Sequence, residues 1–125
     1  MNMGGLQPDG RANVLVVEDD PVLGPILVHM LESGGYAVTL ATDGDSATAA
    51  IGRAHFDLTI ADIVLGLLDG NEVAEALKAI QPGLKVILMS GYGTPRYGLG
   101  PHDPMLFKPF EASELLQRVE RTLAG

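Results

Sequence analysis

The chain contains no cysteine. That excludes a disulfide scaffold, a thiolate nucleophile and a cysteine-ligated zinc site. Positive charge is scarce, with 8 lysines and arginines against 16 acidic residues and a net charge of −8. A nucleic-acid partner needs a basic face to neutralise phosphates, and an anionic membrane surface needs the same, so neither is expected. Long apolar runs are also missing. None approaches the roughly 20 residues of a membrane span. The opening MNMGGLQPDGR has no apolar stretch of the kind a secretory signal carries.

What is present suits one globular domain: 125 residues, 46 % of them hydrophobic. Residues 1–11, rich in Gly, Pro, Asn and Asp, read as a flexible lead into a domain spanning 12–125. Apolar runs of strand length alternate with stretches of helical spacing. Strands are expected at Asn13–Glu18, Tyr36–Ala41, Leu58–Ala61, Leu84–Met89 and Met105–Phe107. The valine and leucine run of the first suits a strand buried on both faces, as in a parallel sheet. Asp20-Pro21 opens a helix, with Val22, Leu23, Ile26, Leu27, Met30 and Leu31 at helical spacing and Gly34-Gly35 at its end. A second helix, Asp43–Ala54, turns Ala47, Ala50, Ile51 and Ala54 inward. Gly66 and Gly70 bracket a loop, and Val73, Leu77 and Ile80 mark a third helix. The last helix, Glu111–Leu123, carries Leu115, Leu116, Val119 and Leu123. Such alternation implies right-handed βαβ units. Residues 91–104, GYGTPRYGLGPHDP, hold too much glycine and proline for more than one helical turn.

Four of these runs stop at a polar residue: Glu18-Asp19, Asp62, Ser90 and Lys108. In a parallel sheet those ends share one edge, where open α/β sheets put their chemistry. Taken singly, each has an ordinary explanation as a helix cap, a turn or a loop. Taken together, Glu18, Asp19 and Asp62 bring up to three negative charges into one cleft, and Lys108 offsets one. A divalent cation with oxygen ligands and waters, Mg²⁺ or Mn²⁺, would offset the rest. A carboxylate beside that cation and a lysine can attack a phosphoryl group, with the Ser90 hydroxyl bonded to a phosphoryl oxygen.

The stretches VLVVEDDP, DLTIADIVLGLLDG, VILMSG and LFKPF, in this order, resemble the receiver domain of two-component response regulators over residues 13–123. The resemblance implies an α/β fold with a doubly wound five-stranded parallel sheet, order 2-1-3-4-5. It implies that Asp62 is the phosphoacceptor, charged from a histidine kinase or a histidine phosphotransfer protein. It makes Glu18, Asp19, Asp62 and the backbone carbonyl of Val64 the metal ligands, and Ser90 and Lys108 the groups that contact the phosphoryl. Lys108-Pro109 is similar to the family's cis bond. The chain would be a cytoplasmic phosphoacceptor that assists its own phosphorylation rather than an enzyme, without a DNA-binding output domain.

Departures from the family pattern are Gly66 in place of proline, Met105 in place of the switch aromatic on the fifth strand, and a fourth-helix region that is degenerate or absent. They put the output mechanism in doubt and leave the phosphorylation site intact. Three other readings compete. One is a receiver fragment of a hybrid kinase. Another is an aspartyl-phosphate phosphatase of the haloacid-dehalogenase kind, which the Glu18-Asp19-Asp20 sequence and the lack of a cap insertion disfavour. The third is a degenerate receiver that only binds, which the intact Asp62, Ser90 and Lys108 disfavour.

Overall fold

A computed structural model describes residues 10–65, 68–91 and 105–125. Five parallel strands form the sheet: β1 (Asn13–Val17), β2 (Ala37–Ala41), β3 (Leu58–Asp62), β6 (Lys85–Ser90) and β7 (Met105–Phe107), in the order β2-β1-β3-β6-β7. This is the expected doubly wound order, with one addition. Two short strands, β4 (Val64–Leu65) and β5 (Leu68–Asp69), pair antiparallel just after β3. The glycine pattern predicts only a loop there. Two-residue strands are too short to show a periodicity, so nothing in the pattern announced them. Four helices complete the described part: α1 (Leu23–Ser33), α2 (Gly44–Arg53), α3 (Gly70–Ile80) and α4 (Ala112–Ala124). The expectations for residues 1–9, for Gly66 and for the fourth-helix region at 92–104 lie outside the described residues, as does the Met105 side chain.

The central strands β1 and β3 are buried on both faces, and the side chains of the sheet divide by pleat. Val14 and Val16, with Leu58, Ile60, Ile87 and Met89, pack against Leu27 and Leu31 of α1 and Leu115 and Val119 of α4. Leu15 and Val17, with Ala61 and Leu88, face Ala47, Ala50 and Ile51 of α2 and Ala74 and Leu77 of α3. The one hydroxyl in the middle of the sheet, Thr59, is satisfied by donating to the Leu15 carbonyl at 2.9 Å. At the far edge from the strand ends that matter, Lys85 Nζ donates to the carbonyls of Leu123 and Gly125, at 3.1 and 2.8 Å. The end of α4 is thereby tied to the start of β6.

Helix starts follow their capping residues. The first helix starts later than Asp20-Pro21 suggests: α1 begins at Leu23 with Val22 as its N-cap, and Asp20 accepts from the Val22 and Leu23 N–H groups at 2.8 and 3.1 Å in the turn that leads into it. Asp43 accepts from Ser46 N at 2.7 Å in a capping box, and Asp69 accepts from Asn71 N at 2.8 Å. Asp43→Ala is expected to cost about 1 kcal/mol, seen as a lower urea midpoint with an unchanged slope.

Four expected core residues are exposed. Val22 and Ile26 are 67 % and 43 % exposed, because Leu27 and Leu31 take the line of α1 that meets the sheet. Ala54 lies past the end of α2, in extended backbone. Ile80, the last residue of α3, is 48 % exposed, and Gly70, Ala74 and Leu77 hold the buried line instead.

Candidate phosphoacceptor site

The C-terminal ends of β1, β3, β6 and β7 bring Glu18, Asp62, Ser90 and Lys108 to one edge, as the chain order predicts. Glu18 follows β1 and keeps its ladder, donating its N–H to the Ala41 carbonyl at 3.0 Å. Its side chain is 1 % exposed. The neighbouring Asp19 is exposed. Asp62 ends β3 and is 7 % exposed. One of its oxygens accepts the Val64 N–H at 2.8 Å, which orients the carboxylate. Its other oxygen is hydrogen-bonded to Lys108 Nζ. The same ammonium lies 3.3 Å from Glu18 Oε2, so one cation bridges two buried carboxylates. Ser90 is fully buried. Among the described residues its hydroxyl has one long contact, 3.4 Å, to the Gly91 carbonyl. The backbone joins these ends as well: Lys108 N donates to Ser90 O at 2.7 Å, and Ile63 N to Met89 O at 2.8 Å. The Lys108–Pro109 bond is cis, as the resemblance implies.

The charges in this cleft do not balance. Burial pushes the Glu18 carboxyl up to about 7, against the hydrogen bond it receives from the Asp20 N–H, and the adjacent Asp62 adds to the rise while Lys108 opposes it. Burial works against the Lys108 ammonium too, but its hydrogen bond and charge pairing with Asp62, together with Glu18, raise it above the ordinary lysine range. Lys108 therefore stays charged across the neutral range.

Sequence reasoning missed one residue that shapes this site. Gly70, the first residue of α3, sits so close to the end of β3 that a Cβ there would lie 1.8 Å from the Asp62 carbonyl oxygen. Its N–H donates to the Ile63 carbonyl at 2.7 Å. An Asp-Gly pair opening a helix was the available signal. It points to a cap and says nothing of a tertiary approach.

The pattern of the response regulator receiver domain family matches residues 14–120. The chain belongs to that family. The receiver protein CpdR of Brucella abortus is 32 % identical over 88 % of this chain and 95 % of its own length. The transcriptional regulatory protein ZraR of Salmonella typhimurium is 30 % identical over 92 % of this chain, which spans only 27 % of that relative. Among solved structures, the receiver domain of NtrX from Brucella abortus superposes with a TM-score of 0.80 at 32 % identity, covering 89 % of this chain and 98 % of that one. A CheY-like receiver from Methanospirillum hungatei gives 0.80 at 26 % identity, covering 91 % and 94 %. Within this receiver no helix among the described residues is long and apolar enough to cross a membrane.

Among the described residues no three Asp, Glu, His or Cys side chains stand together as a metal cluster, and Asp19 is exposed. Two buried carboxylates do stand together with a single lysine between them. That is an oxygen donor set with excess negative charge. Mg²⁺ commonly takes one or two carboxylates and keeps its waters, so the pair fits it.

Proposed function

We propose that this receiver accepts a phosphoryl group on Asp62 from a histidine kinase or a histidine phosphotransfer protein, in a Mg²⁺-dependent reaction, and signals by protein docking or phosphorelay. The observation that carries the reading is the shared contact of Lys108 with Glu18 and Asp62 beside the buried Ser90 hydroxyl. Asp62 is the nucleophile, held in orientation by the Val64 N–H. Lys108 and the Ser90 hydroxyl are placed to bond phosphoryl oxygens as charge shifts onto them. Glu18 and Asp62 would hold the cation, joined by the outward Asp19 and the Val64 carbonyl that the family resemblance adds. The cation supplies charge neutralisation between two anions. The chain itself is not an enzyme in this reading but a substrate that contributes to its own modification. Its acidic surface supports protein partners over nucleic acid, and a cytoplasmic setting follows from the partner class.

Incubation with a small phosphodonor and Mg²⁺ is expected to add one phosphoryl group, seen by intact mass spectrometry. Asp62→Asn should abolish the addition. Labelling of that variant at the wild-type rate would refute the assignment.

A further inference from the structure

Helix α3 is fastened to both ends of β3. At the end that carries Asp62, Gly70 donates its N–H to the Ile63 carbonyl at 2.7 Å and leaves no room for a Cβ against the Asp62 carbonyl. At the opposite end the fastening is a side chain. Gln81, the C-cap of α3, accepts the Phe56 N–H on Oε1 at 3.1 Å and donates from Nε2 to the Phe56 carbonyl. Phe56 lies two residues before β3, and the Gln81 amide does for it what a neighbouring strand's peptide group would do. The point that Gln81 grips is itself fixed. The Phe56 ring is buried in the core under α2 and α3. Asn13 holds the residues on either side of it. Its Nδ2 donates to the His55 carbonyl at 2.8 Å, its N–H donates to Asp57 Oδ2 at 2.7 Å, and its carbonyl accepts the Asp57 N–H at 2.8 Å. Between the two fastenings, the fully buried residues of α3 are Ala74 and Leu77. Apolar burial is non-directional, so it holds the helix on the sheet without fixing its position along the strand.

We infer that Gln81 is a positioning residue for the Asp62 carboxylate, acting from the opposite edge of the sheet with α3 as a strut. This rests on Asp62 being the phosphoacceptor. The helix has 11 residues and spans about 16 Å. Its place along the strand is set at Phe56 and felt at the turn after Asp62. That turn is held from two sides, by the Met89 carbonyl that accepts the Ile63 N–H at 2.8 Å and by Gly70. It carries the Val64 N–H that orients the carboxylate. A slip of α3 moves one of the two sides and carries the turn with it. Misplacing a reacting group by about 1 Å costs on the order of a hundredfold in rate, so a fraction of that slip is enough to be measured.

The test uses the full chain with Mg²⁺ and acetyl phosphate. Gln81→Met keeps the length of the side chain and removes both bonds to Phe56. It is expected to lower the labelling rate of Asp62 at saturating donor about fivefold. Asp43→Ala, which loses stability through the cap of α2, should label at the wild-type rate, so that instability alone does not produce the effect. Gln81→Asn keeps the amide but falls one methylene short, and it should give a smaller loss in the same direction. A second arm needs no phosphorylation. Substitutions this far apart ordinarily add in their effects on stability. With α3 as a strut, Gly70→Ala is costly because the helix cannot slide away from Asp62, and Gln81→Met frees it to slide. The double variant should therefore lose clearly less melting temperature than the two single losses together, and it should label no more slowly than Gly70→Ala alone. The same cycle with Gln81→Asn should show the same sign. Additive losses of melting temperature, or a Gln81→Met variant that labels like the wild type, overturn the inference while Asp62 labelling still stands. A wild type that takes no label overturns the phosphoacceptor reading and the inference with it.

Discussion

Gly70→Ala lowers the melting temperature by on the order of 10 °C and slows labelling of Asp62, while the same substitution at Gly52 raises it. Two effects compete at each position. Alanine is favoured over glycine in a helix by about 1 kcal/mol. At Gly52, on the exposed face of α2, an added Cβ meets nothing within 4 Å, so only that gain remains. At Gly70 the Cβ would lie 1.8 Å from the Asp62 oxygen, 2.7 Å from its carbonyl carbon and 2.9 Å from the Ile63 Cα. All three are backbone atoms and cannot rotate away. Overpacking of this kind costs about 3 kcal/mol or more, which exceeds the propensity gain. For a domain of this size the net loss is several degrees per kcal/mol. Relief requires α3 or the turn after Asp62 to move, and that turn supplies the Val64 N–H that orients the carboxylate. Thermal denaturation of both variants, with labelling rates, checks the opposed signs. A Gly70→Ala variant as stable as the Gly52→Ala one would show that the approach is not as close as described.

Glu18 has a folded-state pKa raised to about 7 from an ordinary 4.5, so the folded protein holds a proton that the unfolded chain releases. Its contribution is harmless below about pH 4.5. The folded state is then progressively penalised as pH rises toward 7, and above 7 the full cost of the buried charge remains. The shift corresponds to as much as about 3 kcal/mol. Asp20 and Asp43, whose values are lowered by the N–H groups they cap, act below this window and do not confuse it. Glu18→Gln keeps the acceptor for the Asp20 N–H and removes the charge. Urea unfolding from pH 5 to 8 should show wild-type stability falling and the variant nearly flat across the same range. Mg²⁺ should raise the melting temperature of the wild type more at pH 8 than at pH 5.5, and raise that of Glu18→Gln little at either. Parallel pH curves for the two proteins would contradict the buried-charge account.

Much of this was legible in the sequence because strand ends are. A βαβ chain puts every strand's C-terminal residue at one edge, so the order Glu18, Asp62, Ser90, Lys108 already implied a cluster. The sheet order followed from the family resemblance, and the family match agrees with it. What sequence could not give was the depth of each residue along the edge. Glu18 and Asp19 look alike in a string, yet Glu18 keeps a ladder bond to Ala41 and is buried, whereas Asp19 is exposed. Helical spacing likewise marked six apolar positions on the first helix. It could not say which line meets the sheet, and Val22 and Ile26 ended outside it. Gly70 matters through an atom of another segment, and no local pattern encodes that. The small β4–β5 pair is set by the turn between β3 and α3, below the length at which alternation can be read.

The tie from Lys85 to the last carbonyls of α4 bears on how this protein can be handled. It pins the end of the last helix beside the start of β6, at the edge where the strands begin, and Asp62 lies at the edge where they finish. A fluorophore or a surface tether joined after Gly125 would therefore leave from an anchored point on the far side of the molecule. The edge that carries Asp62 would stay clear of the label, and the dye's orientation would report tumbling of the whole domain rather than the swing of a loose tail.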